Sequence, residues 1–158
     1  MKAVLLMCCL LLFGIAAAAE DKPHQYVNIP AHIEGLPFSD AVLAGDTLYV
    51  SGRIGLVPGT RKVPDTIEEE VRVLMESIKT AVEHAGLAMD DVVSVTIYCP
   101  DLTLYERFNG IYKTYFKEGK YPARAFIGSG PLLFGGHFEM TTIAVRQPKA
   151  AKTAGKKR

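Results

Sequence analysis

Two residues in this chain have the types and spacing to handle a small acid. Arg124 closes the run Tyr121-Pro122-Ala123-Arg124, and Glu139 follows fifteen residues later. A guanidinium is a planar donor fork that grips a carboxylate with two parallel bonds. A glutamate can orient or deprotonate a water. Pro122 presets an extended entry, so residues 122–127 read as a strand. Residues 138–145 read as its hairpin partner, across a loop carrying Gly128, Gly130, Gly135 and Gly136. Hairpin pairing would set Arg124 and Glu139 on neighbouring strands, as a site for a small carboxylic acid. On these residues alone, an ordinary ion pair between a surface Arg and a strand-edge Glu competes with that reading.

The elements that must position the pair can be read along the chain. Residues 20–37 are punctuated by proline and read as irregular, with at most a short first strand. Residues 41–44 and 47–52 form a hairpin about Gly45-Asp46. Residues 53–64 are a loop around Pro58-Gly59. A helix begins near Asp65 or Thr66, where Thr66 and Glu69 have capping-box spacing and Glu68, Glu69 and Glu70 suit a helix N-terminus. Ile67, Val71, Leu74, Ile78 and Val82 recur at helical spacing, and Gly86 is the natural terminator. Residues 92–99 are rich in β-formers, and Pro100-Asp101 breaks the run. A second helix spans about 103–117, burying Leu104, Phe108, Ile111, Tyr112 and Tyr115. The order β-β-α-β-α-β-β, with two amphipathic helices, fits an α+β sandwich with both helices on one sheet face. A domain of this length has no third layer for the other face, which points to oligomerisation.

With 158 residues the chain has room for one domain with a real core. Its first segment stands apart from the fold. Lys2, an apolar run from 3 to 15 and four alanines at 16–19 read as a secretory signal peptide cleaved after Ala19. The run is short for a membrane span, which disfavours an uncleaved anchor. The expected product is an exported protein, periplasmic or secreted, free of the membrane after cleavage. Cleavage leaves Cys99 as the one cysteine, so no internal disulfide can form. Cys99 reads as a small buried hydrophobe. Residues 149–158 carry five Lys/Arg and no acid, and read as a disordered tail. Residues 20–148 carry twelve basic and seventeen acidic residues, a net charge of −5. An acidic body argues against a dedicated nucleic-acid binder, although the tail by itself could touch an anionic surface. His24, His32, His84 and His137 show no metal-ligand spacing, so no metal is expected.

From about Pro37 to Val145 the residues resemble the RidA/YjgF family of enamine/imine deaminases. The resemblance is carried by Pro37-Phe38-Ser39-Asp40-Ala41, Gly45-Asp46, Leu48-Tyr49-Val50-Ser51-Gly52 and Ala85-Gly86-Leu87. It continues through Val92-Val93-Ser94-Val95-Thr96, Asp101-Leu102, Phe108-Asn109, the Tyr112/Phe116 pair, Tyr121-Pro122-Ala123-Arg124 and Glu139. It implies a chorismate-mutase-like α+β sandwich with a mixed sheet, assembled as a homotrimer with sites in the clefts between subunits. It implies hydrolysis of 2-imino acids of the 2-iminobutanoate/2-iminopropanoate type to 2-oxo acids and ammonia, without a cofactor. Arg124 matches the residue that binds the substrate carboxylate, and Glu139 the one that orients water. Ser51 and Gly52 match pocket-lining strand residues, and Asn109 matches an Asn on the second helix. Phe38 stands where many members carry Tyr, and Phe126 where many carry Cys. Pro131 precedes Leu132-Leu133, in a register where a Leu-Pro pair is usual.

The chemistry is consistent with these residue types. Arg124 would fix the carboxylate and so place the C=N carbon, and Glu139 would hold the attacking water and carry protons. Two other classes compete. A non-catalytic protein could bind a small carboxylate in the same cleft. RNA binding or cleavage is disfavoured by the acidic body and by the lack of a His pair.

Overall fold

The computed structural model describes residues 23–30 and 34–147, so the signal-peptide and basic-tail readings lie outside the described residues. Six strands form one mixed sheet: β1 (Gln25–Val27), β2 (Ala41–Ala44), β3 (Thr47–Ile54), β4 (Val92–Cys99), β5 (Ala123–Gly128) and β6 (Glu139–Val145). Their spatial order is β1-β2-β3-β6-β4-β5. Helix α1 (Ile67–His84) joins β3 to β4, and α2 (Tyr105–Tyr112) joins β4 to β5.

Local sequence accounts for the element ends. The Thr66 hydroxyl accepts from the Glu69 N–H at 3.3 Å and caps α1. At the other end Gly86 takes φ 75°, and Leu87 N–H reaches back to the Val82 carbonyl at 3.1 Å, a left-handed closure open to glycine. The second helix is shorter than the expected 103–117. Its flanks, Leu102–Leu104 and Lys113–Tyr115, are 3-10 turns, so only two turns are α-helical. Arg107 on α2 forks onto the Glu68 carboxylate of α1 at 2.7 and 2.8 Å, which fixes one helix against the other.

The expected hairpin between the last two strands does not form. Among the described residues strand β5 pairs only with β4, in parallel, while β6 inserts antiparallel between β3 and β4. The crossovers explain this. Both β3–α1–β4 and β4–α2–β5 return their strands in parallel, because each helix carries the chain back over the sheet. The first crossover leaves a one-strand gap between β3 and β4, and β6 fills it.

Both helices cover one face. Leu48, Val50, Val95, Ile97, Met140 and Ala144 turn toward that face and are buried with Val71, Leu74 and Ile78 of α1. Phe108 of α2 joins them, its ring 4.9 Å from Phe138. The opposite face has a different character. A row across all six strands reads Tyr26, Val42, Tyr49, Ile143, Ser94 and Ala123. Tyr26 and Tyr49 there are 72% and 50% exposed, a cost that one copy of the chain leaves unrelieved.

A candidate site in two halves

Strand β5 projects Arg124 toward the helices, where α2 receives it. Its Nη1 donates to Asn109 Oδ1 at 2.8 Å and its Nη2 to the Tyr105 hydroxyl at 3.0 Å. The guanidinium carbon stands 4.9 Å from the Tyr112 ring centroid and 5.4 Å from that of Tyr105. Phe126, one strand repeat on, packs edge-on to Tyr105 and Phe108 at 5.0 and 5.4 Å. This aromatic frame holds the fork by its flat faces and leaves other N–H groups to bind an anion. Beside it opens a cleft of about 310 Å³, lined by Asn109, Tyr112, Lys113, Tyr121, Pro122 and Arg124. Burial pushes the Tyr112 phenol up to about 12, so it stays neutral at ordinary pH.

Three of the expected residues, Arg124, Asn109 and Phe126, therefore meet. Tyr105 belongs with them and was not expected. The available signal was its spacing, since residues 105 and 109 share a helix face.

Glu139 belongs to a second group. It pairs across the sheet with Ile54 on one side and Tyr98 on the other. Gly52 stands against it so closely that a Cβ there would lie 2.1 Å from Glu139 Oε1. The glycine is thus what makes room for the carboxylate. The ladder shifts register between Val50 and Arg53, placing Ser51 and Gly52 in a bulge that aims this stretch. The Ser51 hydroxyl donates to the Ser39 carbonyl at 2.6 Å, and Ser51 N–H to the Asp40 carbonyl at 3.0 Å. These bonds tie Phe38, which is 51% exposed, to the same rim. Buried Asp40 anchors the segment, accepting from Arg53 Nη1 and from Ile29 N–H. Ser51 is thus spent on the backbone, shaping the rim.

The two groups do not meet within one chain. Arg124 lies opposite Val95 on β4, whereas Glu139 lies opposite Tyr98. Paired residues share a sheet face and faces alternate along a strand, so this odd offset puts the two side chains on opposite faces. The strands are also not neighbours, with β4 between them. The expected Arg–Glu pairing on adjacent strands is therefore corrected, as is the competing ion pair.

Cys99 is buried as expected, its thiol 3.1 Å from the Asp101 carbonyl and its pKa pushed up by desolvation. His137 is the unexpected histidine. Its backbone N–H and ring face the buried carboxylate of Glu70, which the sequence suggested only as a charge at the start of α1.

A family model described as Endoribonuclease L-PSP matches residues 31–146. A RutC family protein of Saccharolobus solfataricus is 40% identical over 109 residues, covering 68% of this chain and 86% of the relative. The 2-iminobutanoate/2-iminopropanoate deaminase of Rattus norvegicus is 37% identical over 112 residues, covering 70% and 81%. The crystal structure of RidA from an Antarctic Psychrobacter superposes with a TM-score of 0.67 at 30% identity, over 72% of this chain and 92% of that one.

Proposed function

Because the chain belongs to the RidA/YjgF (endoribonuclease L-PSP) family, we propose that it hydrolyses reactive 2-imino acids and enamines to 2-oxo acids and ammonia. The site is completed between copies of the chain in a homotrimer. The observation that carries this reading is the division of the site: a cation frame on one face and a carboxylate rim on the other. A second copy can bring its Glu139 to the first copy's Arg124, and it also covers the exposed tyrosine row.

The reaction follows from the two groups. Arg124, steadied by Asn109 and Tyr105, takes the substrate carboxylate and so fixes the adjacent C=N carbon. Water held by Glu139 attacks that carbon. As the C–O bond forms, the C=N π pair moves to nitrogen and Glu139 takes the water proton. That proton then passes to nitrogen. The carbinolamine hydroxyl gives its own proton to Glu139 as an oxygen lone pair closes the C=O bond, and the C–N bond breaks with its pair leaving on ammonia, which yields the 2-oxo acid. An iminium carbon is electrophilic without a metal or organic cofactor, so placement and proton transfer suffice. Phe126 flanks Arg124 in the cation half, and Phe38 stands on the Ser51 rim of the carboxylate half.

The test generates an imino acid with an amino-acid oxidase and traps it with semicarbazide. The expected result is less trapped imine when the protein is present. Saturable binding of 2-oxo acids with no loss of trapped imine would instead favour a non-catalytic carboxylate-binding protein. We further read residues 1–19 as a signal peptide and the protein as exported. N-terminal sequencing of exported material beginning near Glu20 would support this.

A further inference from the structure

The Arg124 cleft has a second cation on its wall. Lys113 lines it along with Arg124, and no Asp or Glu does. Lys113 follows Asn109 by one helical turn, so it projects beside the residue that holds Arg124. Among the described residues no carboxylate lies within ion-pairing distance of Lys113. This contrasts with Lys79 and Lys117, which pair with Glu76 and Asp90. Among the described residues Arg124 likewise donates only to neutral partners, Asn109 and Tyr105. Tyr112, with its phenol pushed up to about 12, adds no negative charge.

Two cations therefore border one small cleft with neutral walls between them. A substrate with one carboxylate would satisfy Arg124 and leave Lys113 facing like charge. A substrate with a second anionic group at the end of a short chain satisfies both. We propose that the preferred substrates are short-chain 2-imino dicarboxylates, the imines formed by oxidising acidic amino acids. The α-carboxylate would sit on Arg124 and the distal carboxylate on Lys113. This rests on the deaminase reading of the site, and two independent measurements keep the two apart.

The first measurement compares kcat/KM for the imines generated from glutamate and from alanine. The second compares calorimetric affinity for 2-oxoglutarate and pyruvate. Both use the full oligomeric protein, as wild type and as Lys113→Gln and Lys113→Glu. Lys113 is exposed, so its variants should fold, and thermal melting checks this. The expected wild-type preference for the dicarboxylate is about two- to fivefold, from one additional solvent-exposed charge pair. Lys113→Gln should bring that ratio close to one, and Lys113→Glu should invert it. Equal handling of both classes by wild type, or an unchanged ratio in Lys113→Gln, overturns the proposal. That result would leave Lys113 with no role beyond complementing the end of α2. If neither imine is hydrolysed while 2-oxoglutarate still binds preferentially through Lys113, the deaminase reading fails and the dicarboxylate assignment stands.

Discussion

The fully buried carboxylate of Glu70 meets both the backbone N–H and the ring Nδ1 of His137, each at 2.7 Å. A carboxylate accepts only, so Nδ1 carries the proton and Nε2 is the free edge of the half-exposed ring. The contact fastens the first turn of α1 to the chain two residues before Glu139. Gly55 permits it, since a Cβ there would lie 2.2 Å from the Glu70 carbonyl oxygen.

Glu70→Ala should therefore destabilise the fold. An unpaired His137 N–H costs about 1–3 kcal/mol, and the void left by the side chain adds to it. Glu70→Gln keeps an acceptor for the backbone bond and should cost less. Urea denaturation gives both values. An alanine variant within about 0.5 kcal/mol of wild type would mean that this contact secures nothing.

Gly52→Ala should separate folding from activity. The new methyl displaces the mobile end of Glu139 rather than backbone, so thermal stability should change little. Turnover should fall toward that of Glu139→Gln, a loss of about 10²- to 10⁴-fold for general acid–base work. Full activity in Gly52→Ala would detach Glu139 from the chemistry.

Arg124→Ala should lose about 2–5 kcal/mol of transition-state binding, because Ala123 and Ala125 offer no substitute charge. Arg124→Lys should recover little. An ammonium cannot hold Asn109, Tyr105 and a carboxylate in one plane. Rescue by lysine to within a few-fold would show that charge alone matters there.

Mixing two inactive variants tests the divided site directly. Arg124→Ala and Glu139→Gln protomers, dissociated and reassembled together, should regain activity at about a quarter of the sites with random equal mixing. Each variant alone should stay inactive. Absence of recovery in verified mixed oligomers would place both groups in one chain's site.

One titration should show the helix-to-helix clasp. The Arg107 fork, the largest cause, holds the Glu68 carboxyl down at about 2. A lowered folded-state value contributes stability above the unfolded carboxylate range, and that contribution is lost as pH falls through about 2. Both side chains are solvent-exposed, so the effect on stability is small. NMR titration of Arg107→Gln should return Glu68 to near its ordinary value. An unmoved Glu68 would mean that the clasp does not persist in solution.

Several features of the fold and site were legible in the sequence because their causes are local. The cap at Thr66, the stop at Gly86, the hairpin about Gly45-Asp46 and the run 92–99 depend on residues a few positions apart, and they appear as expected. Asn109, Phe126 and Arg124 could be grouped from the family pattern, and they do meet.

Strand order was not legible, because it depends on where long crossovers return the chain. A Gly-rich loop between two β-rich segments looks the same whether they pair or are divided by β4. The insertion of β6 beside β3 makes Gly52 the neighbour of Glu139, and the odd register offset across β4 puts Glu139 on the face opposite Arg124. The partnership of Glu70 with His137 was hidden for the same reason. At the start of α1, one glutamate among three looks like a dipole-compensating charge until His137, arriving 67 residues later, meets it. Residue types and short-range spacing thus determined the elements and the chemistry available to this chain. Which groups share a face, and so which must be supplied by another copy, was decided only when the crossovers closed the sheet.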